Sequence, residues 1–150
     1  MPQSLAKVLV HLVFSTKNRA LLLPNDPYEP LHKYAYGIFE EQKCHMIEMN
    51  NVADHVHILF DLHRTEAISD VVMHVKKGTS RWLKEHAAQF RDFDWQDGYG
   101  AFSIGVSQRP IVCTYIQSQQ KRHARLSFQD EFRELLRRYE IEYDERYVWD

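Results

Sequence analysis

Ala53-Asp54-His55-Val56-His57-Ile58-Leu59-Phe60-Asp61 is the stretch on which the fold turns. Val56, Ile58, Leu59 and Phe60 are apolar and partly β-branched, the composition of a buried or half-buried strand. Successive side chains on a strand alternate faces, so His55 and His57 point one way and Val56 points back toward a core. Two neutral imidazoles side by side can hold one divalent cation. The same spacing also suits two polar residues on the wet face of an antiparallel strand, and alone it does not separate these readings.

The flanking segments place this strand in a sheet. Lys7 to Phe14 is largely apolar and β-branched and reads as a first strand, followed by the polar turn Lys17-Asn18-Arg19. Pro24-Asn25-Asp26-Pro27 punctuates the start of a helix over about Tyr28 to Gln42. Cys44 to Asn50 and His55 to Leu62 read as consecutive strands joined by a short turn. From about Glu66 to Ala88, Ile68, Val71, Val72, Val75, Thr79, Trp82, Leu83 and His86 share one helical stripe, and Lys76, Lys77, Ser80, Arg81 and Lys84 lie on the other side. Ala101 to Val106 reads as a fourth strand. Ser107 is expected to cap a helix with Pro110 in its first turn, and Ser127 to cap a last one over Phe128 to Glu140. The order predicts an α+β fold: a ferredoxin-like split βαβ sandwich with helices on one face of an antiparallel sheet, plus C-terminal helices. The histidine pair falls on an inner strand.

The length of 150 residues suits one domain, residues 1–150, with a single substantial core. No apolar run approaches the roughly 20 residues that span a bilayer. The N-terminus lacks the charged and then apolar regions of a signal peptide. Cys44 and Cys113 form neither a metal-ligand spacing nor a disulfide framework, which suits reduced thiols and a cytoplasmic location. A formal net charge of −2 argues against broad, non-specific nucleic-acid affinity, so any such contact needs local patches.

Tyr115, Gln119 and His123 recur at intervals of four and on a helix share one face, each turned only about 40° from the last. A tyrosine hydroxyl, with a pKa of roughly 10, is a poor nucleophile unless a nearby cation polarises its electrophile, for instance a phosphodiester. Alternatively Tyr115 continues the apolar stripe of Ile111, Val112 and Ile116, with Gln119 and His123 exposed.

Asp54-His55-Val56-His57-Ile58-Leu59 resembles the HUH motif, and Tyr115-Ile116-Gln117-Ser118-Gln119 resembles the Tyr-x-x-x-Gln signature that follows it. Together they are similar to the single-tyrosine HUH transposases of the simplest bacterial insertion sequences, the IS-two-hundred group, and to their repeat-associated relatives. The resemblance includes the Lys17-Asn18-Arg19 turn, the lysine-rich central helix, the Trp95-Gln96 loop and Tyr143-Asp144-Glu145-Arg146-Tyr147. It implies metal-dependent cleavage and rejoining of single-stranded DNA at insertion-sequence ends. His55, His57 and Gln119 would hold a Mg or Mn ion against the scissile phosphate. Tyr115 would attack it, leaving a 5′-phosphotyrosine link and a free 3′-hydroxyl. Rejoining conserves bond energy, so no nucleotide cofactor is implied. The implied partners are DNA with hairpin ends and a second copy of the chain, in a homodimer with shared active sites. Gln120 and Asp54 stand beside the motif residues as alternative ligands, or Asp54 as an orienting group; two imidazoles are soft ligands for magnesium, so manganese is no surprise.

Candidate DNA contacts are Lys17, Arg19, Lys76, Lys77, Ser80, Arg81, Lys84 and Arg122, with Lys121 and Arg125 nearby; charged helix faces are also often merely solvated. Trp95 and Tyr99 suit either base stacking or packing. His123 reads as surface or DNA-facing, and His11, His32, His45, His63, His74 and His86 as structural. Two other functions compete: a replication or mobilisation nicking enzyme, and a non-catalytic hairpin-binding protein, which the negative net charge motivates.

Overall fold

The computed structural model describes residues 3–150. Its elements are β1 (Leu9–Ser15), α1 (Glu29–Glu41), β2 (His45–Asn51), β3 (His55–Asp61), α2 (Ile68–His86), β4 (Gly100–Ile104), α3 (Arg109–Gln117), α4 (Gln119–Arg122) and α5 (Phe128–Arg138). The sheet order is β2-β3-β1-β4, with every neighbouring pair antiparallel. This is the expected α+β, split βαβ arrangement, with β1 and β3 at its centre.

Strand alternation divides the molecule. Val10, Leu12 and Phe14 of β1 and Val56, Ile58 and Phe60 of β3 pack with Leu31, Ala35 and Phe39 of α1 and Val71, Val72 and Val75 of α2. Each large apolar side chain so buried is worth about 1.5–3 kcal/mol. The intervening positions, Leu9, His11 and Val13 on β1 and His55, His57 and Leu59 on β3, turn to the other face, which α3 to α5 cover. Both faces of the central strands are therefore closed. The histidine pair is not on a wet surface.

Local chemistry sets the helix ends. Pro30 sits in the first turn of α1, where its missing N–H is harmless, and Lys43 takes a left-handed conformation (φ 63°) just past the last turn. The Ser127 hydroxyl oxygen caps α5 by accepting from the Asp130 N–H at 3.2 Å. Ser107 does not cap as expected. It lies inside a tight turn, Val106–Gln108, closed by the Gln108 N–H donating to the Gly105 carbonyl at 2.9 Å, and α3 starts at Arg109. Nor is the tyrosine helix continuous. Ser118 leaves the helical conformation (φ −98°, ψ 18°), and its hydroxyl donates to the Tyr115 carbonyl at 3.1 Å, so α4 begins as a separate turn at Gln119.

α5 reaches the sheet through Phe128, Phe132, Leu135 and Leu136, which pack on Val13 and Phe102. Gly100, opposite Val13, makes room for it: a Cβ there would lie 2.7 Å from one ring carbon of Phe132 and 3.0 Å from the Phe102 ring. Aromatic rings cannot bend away as a flexible side chain would. Gly100→Ala is expected to lift α5 from the sheet and destabilise the protein by about 1–3 kcal/mol, read as a lower urea midpoint, while Gly98→Ala, which meets nothing within 4 Å, stays near wild type.

Candidate functional site

The face under α3 to α5 carries the polar cluster. β3 presents His55 and His57, both fully buried, and β1 presents His11 two positions diagonally from His57. His11 Nε2 and His57 Nδ1 lie 2.8 Å apart. α3 lays Tyr115 across both rings, with centroids 5.6 Å from His57 and 5.8 Å from His11. α4 adds Gln119, whose Oε1 is 3.3 Å from His55 Nε2. The structure thus brings Tyr115, His55, His57 and Gln119 together within one chain.

At the centre lies Glu131 of α5, which the sequence reading did not single out. Its Oε1 is 2.9 Å from His57 Nε2, 3.0 Å from His123 Nε2 and 3.4 Å from His55 Nε2. Its Oε2 accepts from the Tyr115 hydroxyl and, at 3.1 Å, from the Gln119 side-chain amide. A sequence signal for it did exist. Phe128, Glu131, Phe132, Leu135 and Leu136 form one stripe, and a carboxylate on the buried stripe of a helix demands a partner.

Two other readings change. His123 is not a surface residue: its side chain is only 9% exposed and is bonded to Glu131 and, through Nδ1, to the Leu126 carbonyl at 2.5 Å. His11 is structural and also belongs to the site, because it fixes the ring of His57. Asp54 Oδ1 holds His55 Nδ1 at 2.7 Å, an orienting position behind the ring. Gln120 is occupied elsewhere. It exchanges hydrogen bonds with the Asn50 amide at 2.9 and 3.0 Å and donates to the Asn51 carbonyl at 2.7 Å, which turns Gln119 toward the histidines.

The electrostatics follow from burial and pairing. Burial opposes ionisation of Glu131, but the field of His57 and hydrogen bonds from His123, His55 and His57 outweigh it and hold the carboxyl well below the usual range. Burial in turn lowers His57, so the two partners pull in opposite senses. The ionised carboxylate is the firmer of the two, since Tyr115 and Gln119 also donate to it. Burial disfavours charge on His55 as well, yet its contacts with Asp54 and Glu131 raise it overall. His11, buried and facing His57, is pulled down to about 3 and stays neutral. Burial, then the charge of Glu131, push the Tyr115 hydroxyl above its ordinary value, so it is a donor at rest.

The basic candidates divide by location. Arg122 lies beside the site, its guanidinium 4.5 Å from the Tyr115 ring centroid and its buried Nε without a hydrogen-bond partner. Lys121, Arg122 and Arg125 line a hollow next to it, and Arg19 shares a second hollow with His123 and Asp54. Lys17 is exposed on the turn after β1. Lys76, Lys77, Ser80, Arg81 and Lys84 belong to α2, on the opposite face of the sheet. Lys76 donates to the Gln96 and Gly98 carbonyls at 2.8 and 2.5 Å, and burial pulls it down to about 8. Lys84 pairs with Asp94 at 3.4 Å and Arg81 with Glu85 at 3.4 Å. Trp95 is packed, its indole N–H donating to Thr79 Oγ1 at 3.0 Å, whereas Tyr99 remains partly exposed.

The family described as "Transposase IS200 like" matches residues 4–119. Two solved structures share the fold. A candidate transposase from Deinococcus radiodurans R1 is 20% identical with a TM-score of 0.61, covering 79% of this chain and 98% of its own. A REP-associated tyrosine transposase bound to a REP hairpin is 15% identical with a TM-score of 0.59, covering 84% of this chain and 74% of its own. No curated protein sequence matches.

Glu131→Ala removes one side of a buried, multiply bonded charge and is expected to destabilise the metal-free protein by about 3–5 kcal/mol at neutral pH, measured by urea unfolding in EDTA. The folded-state value of Glu131 lies below that of the unfolded chain, so its contribution is present above about pH 4.3 and is lost as pH falls further. The gap between wild type and variant should therefore narrow in acid.

Proposed function

The chain belongs to the IS200-like transposase family, and from that premise we propose that it cleaves and rejoins single-stranded DNA through Tyr115. Family and fold support DNA transposase function; the chemistry is the reading offered here. The observation that carries it is the Tyr115 hydroxyl hydrogen-bonded into the same cluster that holds His55 and His57. Residues 1–150 act in this reading as one HUH endonuclease domain.

His55 and His57 would hold a Mg or Mn ion, with the Gln119 amide oxygen as third ligand. The donor set fits such an ion: ligand atoms of His55, His57, His123 and Glu131 lie within 4.8 Å of one another. Asp54 and His11 fix the two ring orientations from behind. When bound, the cation supplies Lewis-acid polarisation of the scissile phosphate and stabilises charge developing on it. The Tyr115 oxygen attacks phosphorus, the bond to the 3′-oxygen breaks, and a 5′-phosphotyrosine remains. Glu131 Oε2 is the nearest acceptor for the phenolic proton. Arg122, with its unpartnered Nε beside Tyr115, donates to the phosphate. Single-stranded DNA enters along the hollow of Lys121, Arg122 and Arg125, with Lys17 and Arg19 at its margin. Lys76, Lys77, Ser80, Arg81 and Lys84 contact the hairpin on the other face. The REP hairpin bound by the related transposase is the precedent for a hairpin partner. We propose a homodimer with shared active sites, although Tyr115 here packs on the histidines of its own chain. Among the described residues no helix is long and apolar enough to cross a membrane, which accords with a proposed cytoplasmic location.

A second reading, a hairpin-binding protein without catalysis, draws on the complete burial of His55 and His57. Incubation of the protein with labelled hairpin DNA from its own flanking sequence, in manganese or in EDTA, separates the two on a denaturing gel. A metal-dependent protein–DNA adduct is expected from wild type. Tyr115→Phe should lose the adduct entirely and still bind the hairpin. An adduct formed by the Phe variant overturns the nucleophile assignment, and binding without any adduct favours the second reading.

A further inference from the structure

We infer that Glu131, with His123 beside it, is the anionic ligand of the divalent cation in this site, an inference that rests on the metal-dependent reading above. It begins with an account of donors and acceptors. A neutral imidazole has one N–H and one lone pair. His55 directs Nδ1 at the Asp54 carboxylate, and His123 directs Nδ1 at the Leu126 carbonyl; both partners only accept, so both Nδ1 atoms carry the hydrogen. Nε2 of both rings then faces Glu131 Oε1, at 3.4 and 3.0 Å, and His57 Nε2 faces the same oxygen at 2.9 Å; without a metal these contacts are held by protons on the rings. Three ring nitrogens and a carboxylate oxygen converging on one point require positive charge between them, which ring protons can supply only by charging buried imidazoles. One divalent ion supplies it for all of them at once.

The charge balance leads to the same place. Glu131 is 1% exposed, and the nearest permanently charged group is the Arg122 guanidinium, its Nε 4.0 Å away and not hydrogen-bonded. A carboxylate so buried needs a cation in contact, and imidazoles provide one only when protonated. Two imidazoles and an amide alone would bind the ion with no anionic ligand. Glu131 adds the hard, charged oxygen that such ions favour, while His123 adds a third nitrogen, a set that selects manganese over magnesium.

The carboxylate also joins two functions. With Oε1 on the ion, Oε2 keeps its contact with the Tyr115 hydroxyl. Glu131 would thus link the nucleophile to the metal site, and α5, which lies beyond the Tyr-x-x-x-Gln segment, would become part of it.

The test is metal affinity measured without DNA. Metal-free wild type and Glu131→Gln, His123→Ala and Gln119→Ala variants are titrated with manganese chloride by calorimetry and with cobalt chloride by visible absorption. Glu131→Gln is expected to weaken manganese binding by at least about 10–100-fold and to change the cobalt spectrum, and His123→Ala to weaken it less. Wild type should bind manganese more tightly than magnesium. Wild-type affinity and an unchanged cobalt spectrum in Glu131→Gln overturn the inference alone, leaving the assignment of His55, His57 and Gln119 to be read from Gln119→Ala. Failure of wild type to bind either ion overturns the metal-dependent reading as well. Should Glu131→Gln not unfold cooperatively, Glu131→Asp, which keeps the charge one methylene short, carries the test with the same expected direction.

Discussion

The antiparallel ladder between β1 and β3, running from Leu9 opposite Asp61 to Ser15 opposite His55, governs both halves of the molecule. Its register sends Val56, Ile58 and Phe60 into the large core under α1 and α2, and His55 and His57 to the other side. A slip of one residue would exchange these two sets and bury imidazoles among phenylalanines. The ladder also brings His11 to the diagonal position from which it fixes His57. Core and site are therefore specified by one hydrogen-bonding pattern, and neither can be altered without the other.

On the second face the apolar contacts hold the C-terminal helices while the polar contacts align them. Phe132, Leu135 and Leu136 secure α5, and Trp149 of the tail closes over Phe128 and Phe132. The Arg133 guanidinium forks onto the Glu145 carboxylate at 2.7 and 3.1 Å, tying the tail to the same helix. Such surfaces tolerate small shifts. A carboxylate that meets His57, His123, Tyr115 and Gln119 does not, since each misaligned group would be a buried polar atom without a partner. Glu131 thereby fixes α3, α4 and α5 relative to the sheet.

The separation of basic residues on α2 has a simpler origin. Val71, Val72, Val75, Thr79 and Leu83 must face the core, so lysine and arginine occupy the rest of the helix. Part of that charge is spent locally: Lys76 on backbone carbonyls, Lys84 on Asp94 and Arg81 on Glu85. The basic side chains nearest the nucleophile, Arg122 and its neighbours, come instead from the short turn of α4 and the segment after it.

The sequence by itself determined the strand alternation that pairs His55 with His57, the order of elements, the Ser127 cap and the family motifs. These depend on residue type and on spacing along a few turns or one strand, and such spacing survives in one dimension. It set Tyr115 and Gln119 one helical turn apart, but it did not show the break at Ser118, which arises from a side chain competing for a backbone carbonyl. Nor did it reveal Ser107 inside a turn rather than at a helix mouth. Only the tertiary structure decided that the histidine face is covered, that His11 and His123 belong to the cluster, and that Glu131 is its centre. Those facts rest in large part on contacts distant in sequence, such as His11 with His57 and His57 with Glu131, 46 and 74 positions apart. The apolar stripe of α5 marks Glu131 as buried, but which groups meet it follows only from the packing of α3 to α5 on the sheet.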